Sequence, residues 1–252
     1  MITGGAIAVW RRNALVWRKL ALPSILGNLA DPMIYMLALG YGLGALLPEV
    51  GGVPYIAFLA AGSIAFSTMN SATFEALYSA FSRMHAQRTW EAILNAPISI
   101  EEVVVGELAW AASKATLSGI AILIVAAMLG LAHWPHALWI VPLVPLAGWT
   151  FAALGLIVTA YARNYDFFMY YFTLVVTPMA MISGVFFPLE QVPAALRAVA
   201  AALPLVHVVA LVRPLLQGEV PTVILLHITV LLAYAVAATY AAVVLFRRRL
   251  AR

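Results

Sequence analysis

The 252-residue sequence has no cysteine and little charge: 10% of its residues are Asp, Glu, Lys or Arg, against 65% hydrophobic. The first absence excludes disulfides, thiolate metal sites and a cysteine nucleophile. The second excludes an ordinary soluble domain, which carries about 25% charged residues because its surface must face water. Most of this chain must face lipid instead, and no stretch after the first twenty residues is polar enough to cover a separate soluble domain. Reaction motifs are missing too. Lys19 and Lys114 lack the preceding glycines of a Gly-x-x-x-x-Gly-Lys-Ser/Thr phosphate loop, so any nucleotide must bind another subunit. Neither a His-Glu-x-x-His helix nor a Gly-x-Ser-x-Gly elbow occurs. His133 and His136 flank Trp134-Pro135, where solvated turn histidines are a plainer reading than a metal site.

What is present is apolar runs of spanning length. A transmembrane helix needs ~20 predominantly apolar residues, and runs of that kind lie near 22–47, 54–78, 103–131, 137–161, 167–188 and 221–246. The expected fold is therefore an all-α integral membrane protein of six spans. In residues 1–20, Ile7, Trp10, Ala14, Trp17 and Leu20 recur at helical spacing, with Arg11, Arg12, Arg18 and Lys19 on other faces. That pattern predicts an amphipathic helix lying in the membrane interface. The basic residues follow the first apolar ones rather than precede them, which does not fit a signal peptide.

The net charge of +4 sits in short clusters beside apolar runs, the pattern of topology signals rather than of a nucleic-acid face. With both termini inside, 11 of the 14 basic residues fall on the cytoplasmic side: Arg11, Arg12, Arg18, Lys19, Arg83, Arg88, Arg163, Arg247, Arg248, Arg249 and Arg252. Arg197 and Arg213 stay outside, and Lys114 falls within a span.

Two connections stand out. Between the second and third spans, Thr89 is placed to cap a short helix that Pro97 cannot continue, and Ser99 and Glu102 form a Ser-x-x-Glu box at the start of the third span. The segment 189–220 is too apolar for a solvated loop. Pro193, Pro204 and Pro214 break it into pieces of less than spanning length, which suggests two short helices dipping in from outside, tolerated only where buried in protein or lining a cavity.

Ionisable groups within spans cost ~2.5–3.5 kcal/mol each on insertion scales, so each is a functional candidate. Glu107 and Lys114, seven residues apart, share a helix face and either pair or bracket a polar groove; a structural ion pair or a snorkelling side chain is the plainer reading. Asp31 precedes Pro32 in the first span, and Glu75 falls near the inner end of the second, where it reads as interfacial. Among the aromatics, Tyr35, Tyr41, Trp110, Trp149, Phe168 and Tyr171 are candidates to stack on a passing substrate, although a membrane-interface belt explains many of them.

The basic N-terminus, Asp31-Pro32-x-x-Tyr35 with Gly40-Tyr41-Gly42-Leu43-Gly44, the segment Thr89–Pro97, and Ser183-Gly184-Val185-Phe186-Phe187-Pro188-Leu189 together resemble the permease subunits of type-2 ABC exporters, in particular the nodulation and polysaccharide-export branches. The resemblance covers nearly the whole chain. It implies one transmembrane domain over residues 1–252, paired with its own copy as a homodimer and with two copies of a separate ATPase that binds ATP and Mg. It also implies a place in the bacterial inner membrane and export of polysaccharides, lipid-linked oligosaccharides, lipochitooligosaccharides or drugs. Thr89, Trp90, Glu91, Ile93 and Leu94 would form the helix that receives the motion of the ATPase, and the first and fifth spans the dimer seam. Two other classes are weaker. A proton-coupled transporter using Glu107, Lys114 or Asp31 would often show an internal repeat, and none is evident. A membrane-embedded enzyme would need a clustered nucleophile or metal set, which the sequence lacks.

The topology predicts that a reporter fused near Gly218 is active outside the cytoplasm and one after Arg252 inside. The opposite pattern in paired fusions would invert the assignment.

Overall fold

The computed structural model describes residues 4–47 and 49–250, except for the side chains of Asn28, Leu29 and Asp31. The expectation placed on Asp31 therefore lies outside the described residues. In chain order the helices are α1 (Gly4–Arg18), α2 (Ala21–Gly42), α3 (Tyr55–Ala86), α4 (Thr89–Leu94), α5 (Ile100–Met128), α6 (His136–Tyr161), α7 (Asp166–Ile182), α8 (Ala194–Ala200), α9 (Pro204–Gln217) and α10 (Ile224–Leu250). Among them α2, α3, α5, α6 and α10 are long and apolar enough to cross a bilayer. The protein is an all-α, multi-pass membrane protein.

Two expectations shift at their edges. The fifth run forms α7, which stops at Ile182 instead of 188 and sits at the short end of spanning length. Gly184, at φ +76°, turns the chain there. The second span runs past 78 to Ala86. Between α2 and α3 a two-residue ladder pairs Glu49–Val50 with Val53–Pro54 around Gly51 and Gly52, both at positive φ. Adjacent glycines are the ordinary signal for such a tight hairpin. The proline-broken segment forms α8 and α9, which meet at 90°.

Lipid offers helices no hydrophobic reason to associate, so close approach of small residues has to hold the bundle. Ala60, Ala61, Ala65, Ala72, Ala111, Ala115, Ala147 and Ala152 fill the centre where α3, α5 and α6 meet. At Gly119 of α5 a methyl group would strike Thr68 Oγ1 of α3 and come within 2.7 Å of Val144 Cγ1 of α6. Helix α1 lies against α5 and buries Ala6, Val9 and Asn13 there. At Gly106 a methyl would sit 2.6 Å from Val9 Cβ. Ile7 and Trp10 of α1 stay exposed, as does Leu20 just beyond its end, as an interfacial helix requires.

The start of α5 is built as the sequence implies: Ser99 N donates to Glu102 Oε2 at 2.8 Å, and Glu102 N donates to Ser99 Oγ at 3.3 Å. The start of α4 is not. Arg88, left-handed at φ +50°, takes the cap position, and Thr89 lies in the first turn without capping. Thr89 Oγ1 instead accepts from Arg12 Nη2 of α1 at 3.3 Å.

Gly119→Val should lower the stability of the detergent-solubilised protein by about 1–3 kcal/mol through overpacking. At Gly27, where a methyl meets nothing within 4 Å, Ala should instead be neutral to slightly stabilising, by up to about 1 kcal/mol. Paired thermal unfolding curves separate the two.

Candidate functional site

Charged side chains converge where α3, α4 and α5 meet. Glu75, only 2% exposed, accepts from Arg83 Nη1, Lys114 Nζ and Trp110 Nε1, each at 2.8 Å. Glu107, equally buried, is gripped by Arg83 through Nε at 3.0 and 3.1 Å and through Nη2, and accepts from Trp90 Nε1 at 3.1 Å. The guanidinium of Arg83 thus bridges two carboxylates, a geometry its planar fork suits. Each carboxylate also takes an indole N–H, so the buried lone pairs are met by donors rather than left in an apolar core.

Glu107 and Lys114 do share a face of α5, but they do not pair directly. Lys114 reaches Glu75 on α3, and Arg83 links that pair to Glu107. Glu75 is not interfacial but central. Sequence spacing hid this, because Glu75 and Arg83 are eight residues apart, about 80° out of register on a regular α-helix. The turn Glu75–Ser79 is a π-turn, with Ala80 N donating to Glu75 O. A π-turn acts as one inserted residue, so the eight-residue spacing behaves like seven and both side chains fall on one face. The Ala76 carbonyl in that turn accepts from Thr159 Oγ1 of α6 at 2.7 Å. A second π-turn, Ser82–Ala86, follows.

The same cluster fixes α4. Trp90, 1% exposed, packs 4.9 Å from Phe246 of α10 while its N–H holds Glu107. It is therefore an internal anchor, not a surface to be offered to a partner. Ile93 and Leu94 are also turned toward the core. The exposed side of this helix consists of Arg88, Glu91, Ala92 and Asn95. Nearby, Arg247 pairs with Glu101, and Arg249 Nη1 donates to the Thr159 and Ala160 carbonyls at 2.7 and 3.0 Å, closing the end of α6.

The aromatic candidates divide. Trp110 and Phe168 are buried, the first holding Glu75 with part of its ring bordering a groove, and the second packed among Tyr78, Phe81 and Tyr165. Tyr171 is half-buried against the core. Trp149 donates to Thr239 Oγ1 of α10 at 3.0 Å and borders an apolar groove. Tyr35 and Tyr41 on α2 are exposed, with Tyr35 edge-on to Phe66 and Phe186.

At the opposite end the Ser183–Leu189 motif is a fastened turn. Tyr55 Oη donates to the Phe186 carbonyl at 3.0 Å, and Arg213 of α9 donates through Nη2 to the Gly184 carbonyl at 2.5 Å with its guanidinium 3.7 Å from the centre of the Phe58 ring. The sequence places Arg213 on the outer side within the second short helix; its turn inward onto the Gly184 carbonyl and the Phe58 ring is set by the tertiary structure. His133 Nδ1 lies 3.2 Å from the Leu216 carbonyl, so that ring serves packing at the α9 end.

Residues 6–216 match the ABC-2 type transporter family. The chain belongs to that family. It is 53% identical to nodulation protein J of Rhizobium leguminosarum bv. viciae, over 98% of this chain and 95% of that protein. It is 51% identical to nodulation protein J of Rhizobium meliloti strain 1021, over 97% and 93%. The inner membrane transport permease YadH of Escherichia coli K12 is 22% identical over 74% of this chain. As an ABC-2 permease the chain is a transport subunit, and its buried charges are to be read as parts of a transporter.

In this permease a double-mutant cycle on Glu75→Gln and Lys114→Met should show coupling of about 0.5–3 kcal/mol. Glu107→Gln with Lys114→Met should couple more weakly, since Arg83 and Glu75 stand between them. Each single change at Glu75 or Glu107 should cost about 3–5 kcal/mol, because it strands buried cations. Unfolding in detergent measures all of these.

Proposed function

We propose that this chain is the membrane half of an ATP-driven exporter in the bacterial inner membrane, working as a homodimer with two copies of a separate ATPase that binds ATP and Mg. The observation that carries the reading is the mounting of α4. It is a short helix at the Arg-rich end of the bundle, with Arg88, Glu91, Ala92 and Asn95 exposed on one side and Trp90 locked into the charge cluster on the other. A push on its outer face passes through Trp90 to Glu107, and through Arg83 to α3, without a flexible link between. That end is cytoplasmic in this reading, which puts both termini inside and makes α8 and α9 a re-entrant pair on the outer side.

The dimer seam falls on α2, the least buried of the five long spans, together with α7. Tyr35 and Tyr41 are the path residues this arrangement favours, since both are exposed on α2. Of the substrate classes the resemblance implies, an amphiphile bearing an oligosaccharide, of the lipochitooligosaccharide kind, fits best. Exposed tyrosines along the seam helix suit both its sugar and its chain, and relatives about half identical are named for nodulation.

The test is co-purification with the cognate ATPase and ATP hydrolysis in proteoliposomes. Glu91→Arg with Ala92→Glu should weaken ATPase association at least about tenfold, as loss of a contact worth more than 1 kcal/mol at each position would, and leave the permease folded. Trp90→Ala should instead reduce stability of the permease itself. Normal association and export in the Glu91/Ala92 variant would move the coupling contact off α4.

A further inference from the structure

Beside the charge cluster a small polar pocket of about 170 Å³ opens between α1, α3 and α5, where Arg12, Asn13, Arg83, Lys114 and the neutralised carboxylate of Glu75 line it together with Trp17 and Trp110. It is rich in donors. Among the described residues its neighbourhood holds three cations, Arg12, Arg83 and Lys114, against two carboxylates, Glu75 and Glu107, and both carboxylates are spoken for by Arg83, Lys114 and the two indoles. Among the described residues the hydrogen-bond partners of Arg12 are neutral, Asn13 Oδ1 at 2.9 Å and Thr89 Oγ1 at 3.3 Å. Holding Asn13 by its oxygen leaves Asn13 Nδ2 buried and without a hydrogen-bond partner, on a side chain 3% exposed. A buried amide donor left unpaired costs free energy unless something fills the site.

A larger, almost wholly apolar groove of about 710 Å³ adjoins the pocket, and Trp17 and Trp110 line both. Trp17 stands edge-on to Trp110, their ring centres 5.8 Å apart. Trp10, Trp149, Leu117 and Pro145 are among its other walls, and Arg18 also lines it. A cationic, donor-rich recess side by side with a long apolar groove, both walled by Trp17 and Trp110 under an interfacial helix, suits an amphiphile with a negative head.

We propose that this is a binding site for an anionic phospholipid of the surrounding bilayer, its phosphate taken by Arg12, Asn13 Nδ2 and Lys114 and an acyl chain laid along the tryptophan groove. Basic recesses beside membrane helices hold lipid head groups in this way. The occupant is a lipid and not a soluble anion because a bare phosphate would leave the groove empty. The lipid is a resident component that pins α1 to α5. It is not the transported molecule, so the inference does not depend on the substrate proposed above.

The test uses the full chain in nanodiscs, with Trp134 and Trp139, both exposed at the opposite end, changed to Phe so that the remaining tryptophans report. Brominated-chain phosphatidylglycerol should quench their fluorescence at lower mole fraction than brominated-chain phosphatidylcholine, by about tenfold, as one or two charge-assisted hydrogen bonds would give. Arg12→Gln with Asn13→Leu should abolish the preference, while Arg12→Lys should keep most of it. The wild-type comparison stands whether or not the variants express. Equal quenching by the two lipids overturns the proposal, and so does a preference that survives the double variant. Relief of quenching by millimolar inorganic phosphate would assign the pocket to the free anion and overturn the lipid source.

Discussion

Four charged side chains in an apolar bundle set the terms for this structure. Glu75, Arg83, Glu107 and Lys114 are each costly to place away from water, and one alone would be expelled or neutralised. Together they form a chain of pairs, completed by two indole N–H groups. Every pair that crosses between helices is a reason for those helices to keep one register. Because lipid supplies no hydrophobic attraction between spans, such a cluster and the small-residue contacts around Gly119 and Gly106 carry most of the specificity of packing.

The cluster also decides what α4 is. A six-residue helix has no stability of its own in water, and it is rigid here because Trp90 is inserted between Glu107 and Phe246. The tryptophan that makes the segment conspicuous is spent inside the protein. Its exposed face is polar and small-residue, Arg88, Glu91, Ala92 and Asn95. At the far end, Arg213 and Tyr55 hold the Ser183–Leu189 turn by its carbonyls, so this irregular backbone is satisfied within the protein. The chain is thus fastened at both ends, while α2 is left the least covered of its long spans.

Much of this was legible from residue order. Low charge and long apolar runs require membrane spans whatever the packing, because backbone groups in lipid must be satisfied within helices. Proline spacing located the break between α8 and α9, the Ser99–Glu102 box located the start of α5, and the glycine, aspartate and tyrosine motifs located the family. These are local signals, written within a turn or two of chain.

Tertiary structure alone decided who meets whom. Glu107 and Lys114 look like partners on a helical wheel, yet each finds its opposite charge on α3, because a π-turn there rotates Arg83 onto the face of Glu75. The inward direction of Trp90, the burial of Phe168 and the return of Arg249 onto the α6 carbonyls depend on helices far apart in sequence. Composition and periodicity determine that a segment is a helix in lipid and which residues share its face. They do not determine its rotation against its neighbours, because that angle is set by long-range pairing and close packing, to which no short stretch of sequence is sensitive.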